Sequence, residues 1–146
     1  LGKVEITKEG SDITLVTYGS TWRIVTDAAN QLERSGISCE VIDTQTLVPF
    51  DLTHDISESV KKTNRLLVID EDVPGGASAY ILQNIIEEQD AYNYLDSEPQ
   101  TLAAKAHRPP YGKDGDYFSK PSTDDVFEKV YGMMNEVNPS KFPSLY

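Results

Sequence analysis

Three carboxylates in a row, Asp70-Glu71-Asp72, with the paired glycines Gly75-Gly76 close behind, are the densest chemical signal in the chain. Such a cluster could ligate a divalent cation, or hold one carboxyl at a raised pKa for acid–base work. A metal site also needs ligands converging from elsewhere, and a solvated acidic loop at a strand end has the same composition. The glycines read as backbone devices that let the loop turn sharply and bring the next helix close. A second stretch runs Asp43-Thr44-Gln45-Thr46-Leu47-Val48-Pro49-Phe50-Asp51, directly after the apolar Cys39-Glu40-Val41-Ile42. In an open α/β sheet such loops form the edge that meets a ligand or partner. The plainer reading makes Asp43 and Thr44 turn caps and Asp51 a helix cap.

Gly19-Ser20-Thr21 is a third candidate, because a helix start after a glycine offers free N–H groups to an anion. The further glycines of a dinucleotide fingerprint are absent, and Ser20 or Thr21 also fits an N-cap. His54 and His107 are the only histidines; His107 stands at a strand end, and His54 on a short helix where exposure or capping is the default. No Cys, Ser or second His lies at a spacing that builds a catalytic triad or a zinc site. The interface or loop-edge candidates are therefore Asp43, Thr44, Asp70, Glu71, Gly75, Gly76 and His107. No residue is assigned a catalytic, cofactor-binding or metal-binding role.

The elements that must position these residues follow from periodicity. Lys3–Thr7 predicts an edge strand or arm, and Ile13–Tyr18 a buried strand. A helix from Trp22 to Ser35 carries Trp22, Val25, Ala28, Ala29 and Leu32 on one face and ends at Gly36. Ile37–Ile42 is the next strand, and Asp51 starts a helix to Lys62 with Leu52, Ile56 and Val60 inward. Arg65–Ile69 is a strand, followed by a helix from Ser78 to Gln89 with Ile81, Leu82, Ile85 and Ile86 inward. A polar loop from Asp90 feeds a strand at Thr101–Ala106, which His107-Arg108-Pro109-Pro110 ends. Ser122 or Thr123 caps a last helix with Val126, Phe127, Val130, Tyr131 and Met134 buried. Strands alternating with helices over short connections predict a largely parallel sheet covered on both faces. Residues 1–136 form the domain, and 137–146 an extended tail whose Phe142, Leu145 and Tyr146 can dock on a partner or fray.

The chain of 146 residues suits one domain with its own core, and its 25% charged, 38% apolar composition is that of a folding chain. With 24 acidic against 13 basic side chains, the net charge is −11 at pH 7. Such a surface repels phosphate backbones and anionic lipid, which excludes nucleic acid and membrane as natural partners and favours a basic protein segment. The one cysteine, Cys39, lies in an apolar strand, so a buried thiol in a reducing, cytoplasmic setting is expected. No apolar run reaches membrane-span length, and the polar start is unlike a signal peptide. The lack of an initiator Met suits a piece cut from something longer.

The order of motifs resembles a known family over Lys3 to Asn135. Ile13–Tyr18 with Gly19, then Cys39–Asp51, then Arg65–Ile69 with Glu71 and Gly75-Gly76, are similar to the C-terminal domain of the β subunit of thiamine-diphosphate-dependent 2-oxo acid dehydrogenases. This is the pyruvate and branched-chain type, within the transketolase-like superfamily. Asp43–Asp51 resembles the family's Asp-Leu-Arg-Thr-Leu-x-Pro-x-Asp; Asp70-Glu71 replaces its usual His-Glu, and the loop before Gly75 is shorter. The resemblance implies a three-layer α/β/α fold, a five-stranded mostly parallel sheet with one antiparallel edge strand. It implies a part of an enzyme that decarboxylates pyruvate or branched-chain 2-oxo acids oxidatively and passes the acyl group to lipoamide. Thiamine diphosphate and magnesium would lie between a diphosphate-binding and a pyrimidine-binding domain of that enzyme, leaving this stretch inactive and cofactor-free alone. The implied partners are those two domains, a symmetry-related copy, and the lipoyl acyltransferase core with its basic docking module. A transketolase or deoxyxylulose-phosphate synthase C-terminal domain, and a stand-alone anion- or protein-binding module, are the alternatives.

Overall fold

The computed structural model describes residues 1–105 and 120–145. Expectations for Ala106, for His107 and the prolines after it, for the loop up to Ser119, and for Tyr146 fall outside them. Five strands, β1 (Glu5–Lys8), β2 (Ile13–Thr17), β3 (Cys39–Asp43), β4 (Leu66–Ile69) and β5 (Gln100–Leu102), form one sheet in the order β1-β3-β2-β4-β5. Among the described residues only the β1–β3 pair is antiparallel; β2 pairs in parallel with β3 and β4, and β4 with β5. This is the mixed, mostly parallel sheet expected, with its antiparallel strand at the edge.

Helices cover both faces because every residue of β2 is buried, whichever way it points. Ile13, Leu15, Cys39, Val41, Leu67 and Ile69 face one core with α1 (Thr21–Arg34) and α4 (Thr123–Val137). Val16, Ile42, Leu66 and Val68 face the other with α2 (Asp55–Thr63) and α3 (Ala77–Gln83). Thr14, central on this second face, is fully buried and satisfied: its hydroxyl shares hydrogen bonds with Ser59 and Thr63 of α2, both at 2.7 Å. Gly10, in the β1–β2 turn, is a glycine by necessity, since a Cβ there would lie 2.2 Å from the backbone carbon of Cys39.

The structure departs from the sequence expectations in particular places. Helix α2 begins at Asp55, not Asp51, because Asp51 (φ 38°) and His54 (φ 56°) are left-handed and break any helix through them. Leu52 is consequently 64% exposed and is not part of the buried stripe of Ile56 and Val60. The helix expected to run to Gln89 is α-helical only to Gln83 and continues as a π-helical stretch, Asn84–Glu88. The loop after Asp90 contains a 3₁₀ turn, Ala91–Tyr94, and β5 stops at Leu102, well short of Ala106. On α4, Met133 is buried while Phe127 and Tyr131 are only half-buried, stacked at a centroid distance of 6.1 Å. The capping box at Ser122 and Asp125 holds the start of α4.

The segment after α4 folds back onto it. Phe142 is 3% exposed and joins the α1–α4 core, while Asn135 Nδ2 donates to its carbonyl (2.7 Å) and the Tyr131 hydroxyl donates to the Pro143 carbonyl (2.8 Å). Neither fraying nor docking elsewhere describes Phe142. Replacing Phe142 by Ala should cost about 3 kcal/mol, the usual loss for a buried aromatic. Urea unfolding measures this directly, and an unchanged midpoint would show that the segment does not pack.

Candidate functional site

The loops that follow β2, β3 and β4 meet at one rim of the sheet, and there the candidate residues gather. Asp70, one residue past β4, is fully buried. Its Oδ1 accepts from the Tyr18 hydroxyl (2.6 Å) and from the Asp72 amide (3.1 Å), and its Oδ2 from the Ser78 amide (2.8 Å). Ser78 lies in the first turn of α3, so Asp70 caps that helix from the strand end. Burial, then the hydrogen bond and charge of Asp70, push the Tyr18 phenol well above its ordinary pKa. That keeps Tyr18 protonated as the donor to Asp70. The other two carboxylates turn away: Glu71 Oε2 accepts from the Ser20 hydroxyl (3.1 Å) and lies 3.7 Å from Lys120 Nζ, while Asp72 Oδ1 accepts from the Val73 amide (2.8 Å).

The three carboxylates therefore do not converge on one point. Among the described residues no group of three or more His, Cys, Asp and Glu side chains is placed to hold a metal ion. Turned apart in this way, Asp70, Glu71 and Asp72 do not form the converging oxygen set a magnesium ion takes. At the start of α1, Ser20 makes no side-chain cap; its hydroxyl is turned to Glu71, so the carboxylate beside this helix start is the chain's own. Gly75 takes the left-handed φ of 87° that lets the loop reverse before α3. At Gly76 a Cβ would come 2.3 Å from Asp72 Oδ2.

The loop after β3 is built on the same plan. Asp43 accepts the Gln45 amide (3.1 Å) in an Asx turn, and the Thr44 amide donates to the Thr17 carbonyl (3.0 Å). Thr44 Oγ1 is buried without a hydrogen-bond partner. Asp51, fully buried, accepts the Asp55 amide (3.0 Å), the Ile56 amide (2.9 Å) and Gln89 Nε2 (2.9 Å), and Gln89 Oε1 in turn accepts the Ser57 amide (3.1 Å). Asp51 therefore caps α2, as its position suggests, but from four residues away. Gln89 and Tyr18 lie 38 and 52 positions from their carboxylate partners, and no local signal in the sequence marks them.

Between these anchors the loop carries apolar side chains outward. Val48 is 82% exposed, ahead of a cis Val48–Pro49 bond. The Tyr80 hydroxyl donates to the Leu47 carbonyl (2.9 Å), and its ring meets Phe50 edge to face at 6.1 Å. His54, at the N-cap of α2, is exposed and makes no side-chain cap, and His107 lies outside the described residues. The rim's Tyr18, Asp43, Asp51 and Asp70 side chains are engaged in its caps and turns. What it offers is a stiff surface: two buried carboxylates, their helix starts, and apolar side chains facing solvent.

The family model for the transketolase C-terminal domain matches residues 2–126. Over 130 residues, 88% of this chain, the sequence is 39% identical to a Rickettsia conorii protein named pyruvate dehydrogenase E1 component subunit beta, and it spans 39% of that relative's length. The mitochondrial protein of the same description from Saccharomyces cerevisiae is 34% identical over 130 residues, with 88% of this chain and 35% of the relative covered. A split-gene transketolase, solved as an inactive β4 tetramer, superposes with a TM-score of 0.69 at 22% identity, covering 90% of this chain and 41% of that one. At that identity the likeness concerns the fold.

Asp51→Ala should cost about 3 kcal/mol, since it strips a helix cap and leaves buried amide donors unpaired, and Asp51→Asn a smaller 1–2 kcal/mol or about that. Denaturant midpoints distinguish the two. Burial pushes the Cys39 thiol up to about 12 from 9.0, with the Asp12 charge adding to it. A raised folded pKa means stability fully present below about pH 9 and lost as pH rises toward 12. Urea midpoints at pH 8 and pH 10 should show that alkaline loss, and Cys39→Ala should flatten its first part. A thiol reagent at pH 8 should leave native Cys39 unlabelled.

Proposed function

Because the chain belongs to the transketolase C-terminal domain family, we propose that it is the C-terminal assembly and partner-docking domain of a thiamine-diphosphate-dependent 2-oxo acid dehydrogenase. The observation that carries this is the 39% identity to a pyruvate dehydrogenase E1 β subunit over 88% of the chain. Pyruvate is the preferred substrate on this ground, since both relatives described carry that name. The whole enzyme decarboxylates the 2-oxo acid on thiamine diphosphate and passes the acyl group to lipoamide. In this reading the cofactor and its magnesium sit in the diphosphate- and pyrimidine-binding domains, outside this chain.

The chain's own residues supply rigidity. Asp51 and Asp70 fix the loops after β3 and β4 against two helix starts, so the rim meets its neighbours with little ordering left to do. The net charge of −11 supports attraction of a basic module of the acyltransferase core, chiefly through faster and better oriented encounter. A symmetry-related copy is the remaining partner. The unpaired, buried Cys39 supports a reducing, cytoplasmic setting.

Calorimetric titration of the 146-residue chain with thiamine diphosphate and magnesium, with a pyruvate decarboxylation assay on the same sample, tests the reading. The expected result is silence in both, with turnover restored in the complete enzyme. Tight binding or turnover by this chain alone would overturn it.

A further inference from the structure

We propose that the loop of residues 44–52, with Val48 and Leu52 at its crest and Phe50 and Tyr80 behind them, is the surface on which the preceding part of the parent enzyme chain packs. The proposal rests on the reading above that this chain is one domain of a larger enzyme. It adds the place at which that enzyme's other part is seated.

Among the described residues most Val, Ile and Leu side chains are buried, yet Val48 is 82% and Leu52 64% exposed within a span of five residues. Tyr80, beside Phe50, is 41% exposed. Paired outward aliphatics of this kind mark a contact surface more often than an isolated exposed Leu does. The loop presenting them is held, not loose. Asp51 is buried under three donors, Thr46 Oγ1 donates to the Pro49 carbonyl (3.0 Å), and the Tyr80 hydroxyl holds the Leu47 carbonyl. Gln45, Asp51 and His54 all keep positive φ, a conformation uncommon for residues other than glycine. A surface preformed in this way loses little entropy on docking.

The occupant follows from the path of the chain. The Gly2 amide donates to Thr46 Oγ1 (3.0 Å), and the Leu52 amide donates to the Gly2 carbonyl (2.7 Å). A Cβ on Gly2 would lie 2.7 Å from Leu52 Cδ1 and 3.0 Å from Pro49 Cγ. The first residues thus run across the loop itself, and residues leading into Leu1 in a longer chain would emerge at the apolar crest. The larger part of the Rickettsia relative lies outside the matched region, which is enough chain to build a further domain. A second copy fits less well. Glu5 and Asp43, both bonded to Gln45, flank the loop, so a twofold contact would set carboxylates against carboxylates on two chains of net charge −11.

Amide hydrogen exchange across residues 45–53 tests the surface, measured in the full-length parent chain and in the 146-residue chain at two concentrations. The expected result is exchange slower by about ten-fold or more in the full-length chain, with no dependence on concentration in the shorter one. V48D/L52D in the full-length chain should abolish the difference and speed protease cleavage ahead of Leu1. The same pair in the 146-residue chain should leave its unfolding midpoint unchanged, because both side chains already face solvent. Equal exchange in the two wild-type chains would overturn the proposal, as would protection in the shorter chain that grows with its concentration, the mark of a second copy. Decarboxylation by the complete enzyme is read alongside. Loop protection without turnover counts against the dehydrogenase reading alone, and turnover with an unprotected loop counts against the docking surface alone.

Discussion

A buried carboxylate that meets the first turn of a helix is the interaction on which this fold depends, and it is made twice. Asp51 follows β3 and receives the opening amides of α2; Asp70 follows β4 and receives an amide in the opening turn of α3. Both carboxylates are fully buried, and each is surrounded by donors. Burial without those donors would cost several kcal/mol or roughly so, enough to consume most of a small domain's stability. The arrangement converts that penalty into geometry. A helix start has unpaired amides that need an acceptor, and a strand end has a side chain that needs a donor. Once the two are matched, each loop has very little freedom left.

That constraint commits the rim's buried carboxylates to structure. Acid–base work needs a carboxyl free to exchange its proton with a substrate, and metal binding needs several carboxylates turned toward one point. Asp70 is committed to Tyr18, Asp72 and Ser78, while Glu71 faces Ser20 and Lys120. Side chains that could have done chemistry are used to close helices and pin loops. The raised phenol pKa of Tyr18 belongs to the same picture: a donor kept protonated beneath a buried carboxylate holds two loops together.

Much of the fold was legible in the sequence because its signals are local. The β-branched run at Ile13–Thr17 and the apolar stripe of Val25, Ala28, Ala29 and Leu32 fall where periodicity places them; the strand expected at Ile37–Ile42 runs Cys39–Asp43, and of Ser122 and Thr123 it is Ser122 that caps. The antiparallel edge was carried by resemblance, since a single weak strand does not announce its direction. What escaped was decided at long range. Leu52 has the right spacing for the α2 stripe, yet Asp51 is drawn into the core by Gln89 and leaves Leu52 outside. The π-helical stretch that precedes Gln89 has no composition signal in Asn84–Glu88 and shows only as the register in which Gln89 reaches Asp51. Phe142 lay in a proline-flanked terminal segment, where composition says exposure and packing says otherwise. The rim residues were legible as a location; their partners were not, because Tyr18 and Asp70 are 52 positions apart.

The division between an acidic exterior and a short apolar crest has a physical logic under the proposed assembly role. Charge acts over about a Debye length and is weakened by salt, so it governs approach and orientation more than residence. Apolar contact acts only when surfaces touch, and it then governs how long they stay together. A chain with net charge −11 that turned its carboxylates toward every neighbour would be repelled by its own copies and by other acidic domains alike. Withdrawing Asp51 and Asp70 into the interior lowers the charge on one rim without removing it from the chain, and the loop above them is left to Val48, Leu52 and Tyr80. The same two side chains therefore do both jobs: they stiffen the rim, and they leave its crest to uncharged side chains.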